Sequence, residues 1–166
     1  MKAVELLQAV RYEPAGEKIR FPDREISGVS LDSRDCREGS VFVCIRGSVC
    51  NGSRYAKEAV RHGAKVLVAA KEEQELIGKI LGQFPECEGV LVEDEREAAA
   101  LLAARYEGEP SRSMTMIGVT GTKGKTTTVS MIRKILSEAG IRTGMIGTTG
   151  QFDGKEHLPS EHTTPD

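Results

Sequence analysis

Short apolar blocks recur along the first part of the chain in two rhythms. Val41-Phe-Val-Cys-Ile45, Lys65-Val-Leu-Val-Ala-Ala70 and Gly89-Val-Leu-Val92 are near-continuous apolar runs, as a strand buried on both faces requires. Ile26 to Leu31 alternates like a further strand. Between these runs, Val4 to Val10, Tyr55 to His62, Glu72 to Leu81 and the Ala-rich stretch Glu95 to Tyr106 read as helices. Gly63 and Gly82 stand where two of these helices end, and Asp94 stands at the N-cap of the last. Arg11 to Glu25, broken by Pro14, Gly16 and Pro22, reads as a loop, as does Gly47 to Ser53, and Glu38-Gly39 reads as a turn. Helices alternating with Val-rich strands predict an α/β domain with a mainly parallel sheet.

Gly108-Glu-Pro-Ser-Arg-Ser113 is a polar linker, and a domain boundary is expected there, dividing the chain into 1–110 and 111–166. Beyond it, Met114 to Val119 reads as a strand. A glycine-rich turn follows, then a helix with apolar residues at 129, 132, 135 and 136, which Gly140 ends. Arg142 to Gly147 reads as a second strand, closed by the turn Thr148-Thr149-Gly150. The tail from Gln151 to Asp166 shows no period. Two strands and one helix cannot cover both faces of a doubly wound sheet, so the expectation is either a part of a longer protein or a poorly ordered tail.

Composition adds constraints rather than a function. Of 166 residues, 39% are hydrophobic and 4% aromatic, with no Trp, so the core must come from Val, Ile, Leu and Ala. The formal net charge of −2 comes from 17 basic and 20 acidic residues up to residue 112 and 6 and 5 beyond it; neither part is a basic arm or an acidic tail, which leaves no case for nucleic acid or an anionic membrane surface. No apolar stretch approaches a transmembrane length. Glu5 interrupts the first apolar run, unlike a signal peptide. Cys36, Cys44, Cys50 and Cys87 form no C-x-x-C pair and read as free thiols in a reducing cytoplasm.

The chemistry concentrates in Met114-Thr-Met-Ile-Gly-Val-Thr-Gly-Thr-Lys-Gly-Lys-Thr-Thr-Thr128. A glycine-rich turn between a strand and a helix directs backbone N–H groups at phosphates. Lys125 brings a positive charge, the Thr126 hydroxyl can ligate Mg2+, and the helix adds its N-terminal partial charge. The strict pattern G-x-x-x-x-G-K-[ST] fails at one position, because Val119 stands five residues before Gly124. The competing reading is a tight glycine turn with Lys125 merely solvated.

Four segments in order resemble one family, the Mur ligases, most closely those of the MurE type, and the resemblance covers the whole chain. They are Leu31-Asp32-Ser33-Arg34 with Gly39-Ser-Val-Phe-Val-Cys-Ile-Arg-Gly47; Asn51-Gly52 with Tyr55, Ala59 and Gly63-Ala64; Gly118-Val-Thr-Gly-Thr-Lys-Gly-Lys-Thr-Thr127; and Gly147-Thr-Thr-Gly150 with Thr163-Thr-Pro-Asp166. The third follows the family's G-x-T-G-[TS]-x-G-K-T, which accounts for the displaced glycine. The implied fold is a MurE/MurF-type α/β domain followed by the start of a P-loop-type parallel-sheet ATP-binding domain. The implied activity is cytoplasmic and uses ATP and Mg2+. It adds the third amino acid to UDP-N-acetylmuramoyl-dipeptide through an acyl phosphate in peptidoglycan synthesis, with no nucleic-acid or membrane partner.

Residue by residue, the resemblance puts Leu31, Ser33 and Ser48 on the uridine part of the substrate, and His162, Thr163 and Thr164 on its muramoyl-peptide part. Gly121, Thr122, Lys123, Gly124, Lys125, Thr126 and Thr127 fall on the ATP phosphates. Lys125 is the implied catalytic cation and Thr126 the Mg2+ ligand. Ser48-Val49 replaces the His-Gln of many members: Ser48 can still donate a hydrogen bond, but Val49 cannot replace an amide. Lys123 replaces the commoner Asn, either toward phosphate or toward water. Because further Mg2+ ligands and a C-terminal domain are implied elsewhere, the chain alone is expected to be inactive. A substrate-binding module without catalysis, or a nucleotide kinase with a variant phosphate loop, remain as other readings.

Overall fold

Residues 1–16, 22–47 and 51–158 are described in a computed structural model. The chain divides into two compact units, Met1–Met114 and Thr115–Asp166.

The first unit is built on a five-stranded sheet in the order β1-β5-β4-β3-β2. Its strands are β1 (Glu13–Pro14), β2 (Val29–Ser30), β3 (Val41–Val43), β4 (Val66–Ala70) and β5 (Glu88–Val92). β2 to β5 run parallel, and β1 closes the β5 edge antiparallel through Glu13 opposite Leu91 and Pro14 opposite Val90. The expected loop from Arg11 to Glu25 therefore contains a strand. Proline is tolerated in it because an edge strand has one row of backbone groups without ladder partners. The strands expected over residues 26–31 and 41–45 are shorter, pairing only at Val29–Ser30 and Val41–Val43.

The period of 2 in the apolar runs sorts their side chains onto two faces. Val41, Val43, Val66, Val68, Val90 and Val92 bury one face against α1 (Ala3–Leu7) and α4 (Glu95–Tyr106), through Leu6, Leu7, Ala98 and Leu102. Phe42, Cys44, Leu67, Ala69 and Leu91 bury the other against α2 (Ala56–Arg61) and α3 (Gln74–Gln83), through Ala59, Val60, Ile77 and Ile80. The result is a three-layer α/β unit. Burial also raises the thiols of Cys44 and Cys87 to about 12, so they pack as small apolar groups.

Caps delimit these helices. The Asp94 carboxylate accepts from the backbone N–H groups of Arg96 and Glu97 at 2.8 and 3.0 Å. At the end of α2, Gly63 takes a φ of +111°, and the Ala64 N–H returns to the Ala59 carbonyl at 2.9 Å, a Schellman closure. A Cβ on Gly63 would lie 2.5 Å from the Glu38 nitrogen, so both conformation and space require glycine. Gly82 does not end α3, which continues to Gln83; without a left-handed φ it is an ordinary helical position.

Between β2 and β3 lies a 3-10 turn, Ser33–Asp35, capped by Asp32. The Asp32 carboxylate accepts the Arg34 N–H at 2.9 Å and grips its guanidinium at 2.9 and 3.1 Å through Nε. The guanidinium and the backbone N–H of Arg34 together hold the Asp32 carboxyl at about 2.

The second unit contains α5 (Lys125–Glu138) and an antiparallel sheet of β6 (Met145–Gly147), β7 (Gly150–Phe152) and β8 (His157–Leu158). The stretch expected as a strand from Met114 to Val119 pairs with no described residue and is not a strand; an extended segment becomes a strand only by pairing along a ladder. Conversely, the tail expected to be irregular supplies β7 and β8. Among the described residues, no buried hydrophobic side chain lies beyond Leu102, and Met116, Met131, Ile135 and Ile146 are all exposed. No described helix is long and apolar enough to cross a membrane.

Replacing Gly63→Ala is expected to destabilise the chain by about 1–3 kcal/mol through backbone strain and the clash at Glu38, read as a lower urea midpoint at unchanged m-value. The Asp32 carboxyl, depressed from an ordinary 3.8 to about 2, supports the turn in full above the ordinary value and loses that support as pH falls through about 2. Carboxyl-carbon NMR should place its midpoint there, and Arg34→Gln should return it toward the ordinary value.

Candidate functional site

In the second unit the site is a short loop feeding a helix. Gly121 and Gly124 adopt φ of +148° and +80°, conformations that side chains rarely take. They turn the chain so that α5 begins at Lys125, directly after the second of them. A Cβ on Gly124 would meet nothing within 4 Å, so this glycine is required for its conformation and leaves open space over the loop. The first intrahelical bond runs from the Thr128 N–H to the Gly124 carbonyl at 2.9 Å. The N–H groups of Lys125, Thr126 and Thr127 precede that bond and have no acceptor within the helix. No acidic residue stands in the first turn, and the N-cap glycine offers no side chain to cap it, so the positive end of the helix stays uncompensated.

The side chains complete this arrangement. Lys125 Nζ donates back to the Gly121 carbonyl at 2.5 Å, which holds the ammonium over the loop. The Thr126 hydroxyl lies 3.3 Å from that of Thr148, in the turn after β6. Thr122, Lys123 and Thr127 are exposed. Thr148 was not singled out as a site residue from sequence, although the Gly147-Thr-Thr-Gly150 segment that carries it was. The signal would have been a hydroxyl residue directly after the strand that follows the phosphate-loop helix.

A loop with N–H donors free of intrahelical acceptors, an ammonium held over it and two adjacent hydroxyls fits a polyphosphate with a divalent cation. Of these groups, the Thr126 hydroxyl, with that of Thr148 beside it, could offer an oxygen to a divalent cation, and Lys125 and the first-turn N–H groups could donate to phosphate oxygens. Among the described residues, no group of three or more His, Cys, Asp or Glu side chains could hold a metal ion.

In the first unit, both segments implied in uridine binding leave the carboxyl ends of adjacent parallel strands, where α/β sheets place their ligands. Leu31 follows β2 and is 41% exposed. Ser33 is 5% exposed, its hydroxyl 3.2 Å from Glu58 Oε2 and its carbonyl 2.7 Å from His62 Nδ1. Neither Glu58 nor His62 was picked out from sequence, because their partner lies 25 or more residues away. After β3, Arg46 pairs with Asn51 in an antiparallel bridge. The Arg46 N–H donates to Glu95 at 3.1 Å, its carbonyl accepts from Arg96 at 2.9 Å, and Asn51 donates to Glu73 at 2.7 Å. Ser48, between those anchors, lies outside the described residues, as do Val49, His162, Thr163 and Thr164.

The same two units correspond to two family profiles. The profile of the Mur ligase family, catalytic domain, matches residues 25–107, and that of the Mur ligase middle domain matches residues 119–166. A curated relative from Syntrophomonas wolfei, named UDP-N-acetylmuramoyl-L-alanyl-D-glutamate--2,6-diaminopimelate ligase, is 40% identical over all of this chain and 32% of its own length. A relative of the same name from Clostridium botulinum is 39% identical over 89% of this chain and 30% of its own. The chain thus spans less than a third of the length of these relatives. Among solved structures, MurF from Acinetobacter baumannii aligns with a TM-score of 0.59 at 26% identity, over 82% of this chain and 27% of that one. With profiles matching both the parallel-sheet unit and the glycine-loop unit, the chain belongs to the Mur ligase family.

Proposed function

We propose that this chain supplies the UDP-binding and phosphate-binding parts of an ATP-dependent amide ligase. That ligase adds 2,6-diaminopimelate to UDP-N-acetylmuramoyl-L-Ala-D-Glu. The carrying observation is the loop from Gly121 to Thr126, with its left-handed glycines, open helix N-terminus and Lys125 ammonium. The amino acid is assigned from the names of the relatives in Syntrophomonas wolfei and Clostridium botulinum.

In this reading residues 1–110 hold the uridine end of the substrate and residues 111–166 begin the ATP site. ATP and Mg2+, when bound, supply a phosphoryl group that activates the D-Glu carboxylate as an acyl phosphate, and charge neutralisation. The protein's own part is positional and electrostatic. The N–H groups of Gly124 to Thr127 and the Lys125 ammonium bind phosphate oxygens, the ammonium exchanging its Gly121 carbonyl for a more strongly charged acceptor. Thr126 presents its oxygen to the metal, oriented by Thr148. Leu31 and Ser33, with Ser48, meet the uridine; His162, Thr163 and Thr164 meet the muramoyl-peptide. Lys123, in the same exposed loop, is assigned with Gly121 and Thr122 to the ATP phosphates.

Two measurements test this. The 166-residue chain is expected to bind UDP-N-acetylmuramoyl-L-Ala-D-Glu in calorimetry yet form no amide with ATP and diaminopimelate; measurable ligation would contradict the division of labour. In a complete ligase carrying this segment, Lys125→Ala should lower kcat/KM by about 100-fold or more, equivalent to ~2.7 kcal/mol of transition-state stabilisation. Phosphate release coupled to ligation reads it, and an unchanged rate would return Lys125 to solvent.

A further inference from the structure

We infer that Glu58 and His62 are positioning residues that lock the Leu31–Arg34 turn in the conformation that meets the UDP moiety. This rests on the reading that the first unit binds the uridine end of the substrate.

The turn is held by two separate sets of bonds. The local set shapes it: the Asp32 carboxylate caps the 3-10 turn and grips Arg34, and the Ser30 hydroxyl donates to the Asp32 carbonyl at 2.8 Å. All of these bonds fall within residues 30–34, so they would survive if the turn moved as a body. The second set comes from α2. Glu58 and its C-cap neighbour His62 stand one helical turn apart, on one face, and both reach Ser33. The Ser33 hydroxyl donates to Glu58 Oε2 at 3.2 Å, and the Nδ1 of His62 is 2.7 Å from the Ser33 carbonyl. Since a carbonyl only accepts, this contact makes Nδ1 the protonated nitrogen.

Ser33 is thereby caught at both its hydroxyl and its carbonyl and reduced to 5% exposure, although Glu58 and His62 are themselves exposed. A solvated Glu and His on a helix surface would gain little from holding a turn that its own bonds already shape. What the pair adds is placement of the turn against α2, and therefore of Leu31, which lies 41% exposed at the carboxyl end of β2. The pair also sets the chemistry that Ser33 can offer. With its proton committed to Glu58, the hydroxyl keeps only lone pairs for a ligand, so it meets a donor such as the uracil imide N–H or a ribose hydroxyl.

The test is calorimetric titration of the 166-residue chain with UDP-N-acetylmuramoyl-L-Ala-D-Glu and, separately, with MgATP. Glu58→Ala and His62→Phe are each expected to weaken UDP-peptide binding by about 5- to 30-fold, the effect of losing a hydrogen bond that orders a site. Glu58→Gln, which keeps an acceptor, should stay within about 2-fold of the parent, and MgATP affinity should not change in any of them. If Glu58→Ala fails to fold, Glu58→Asp carries the same test, since it keeps the charge but shortens the reach. Parent-like binding by both Glu58→Ala and His62→Phe overturns the positioning role and leaves the first unit's function standing. A parallel loss of UDP-peptide and MgATP binding also overturns it, because that marks general unfolding. If the parent chain does not bind the UDP-peptide, the reading of the first unit falls, and the inference with it.

Discussion

The first unit depends on burying β3, β4 and β5 on both faces at once. A parallel strand cannot turn one side to water when crossover helices cover both. Its residues are therefore apolar at nearly every position, Glu88 at the start of β5 excepted, and small enough for two helical layers to approach. Six valines on one face and Phe42, Leu67 and Leu91 among the side chains on the other satisfy this. Almost no aromatic side chains are needed, because helices pack closely on a valine surface. Gly89 extends the same economy of volume: a Cβ there would come 2.8 Å from the Ile77 side chain of α3.

That constraint also fixes where chemistry can occur. The ladder occupies the backbone of the strands and the helices occupy the faces, so only the strand ends remain for a ligand. Leu31 and Arg46 follow the carboxyl ends of two neighbouring parallel strands, β2 and β3. The segment after β3 is anchored by Glu95 and Arg96 from the start of α4 and by Glu73 from the turn after β4. Elements distant in sequence thus converge at one end of the sheet, Glu95 and Arg96 on the Arg46 backbone and Glu73 on the Asn51 side chain.

The second unit follows a different logic. Its site is made within a few residues: two glycines in left-handed conformations, a helix start, and a lysine folded onto a carbonyl four residues earlier. Such a loop needs little beyond its own covalent geometry. This unit buries no hydrophobic side chain among its described residues, yet the loop is formed.

Local rules written in the sequence account for much of what is seen. The near-continuous apolar runs identified β3, β4 and β5. Asp94 and Gly63 marked helix ends through capping chemistry that acts over a few residues. The glycine, lysine and threonine spacing located the phosphate loop, whose geometry is likewise local. Sequence reasoning failed where a partner decides the state. Met114 to Val119 has the composition of a strand but pairs with no described neighbour, whereas Glu13–Pro14 looks like a loop and becomes a strand because β5 offers an edge. The roles of Glu58 and His62 were invisible for the same reason, as was the approach of Thr148 to Thr126. Hydrogen bonds across 22 to 29 residues leave no periodic trace along the chain. By itself, then, the sequence determined conformations set by short-range sterics and burial; the tertiary structure alone decided which distant groups meet, since only the packed fold brings them within bonding distance.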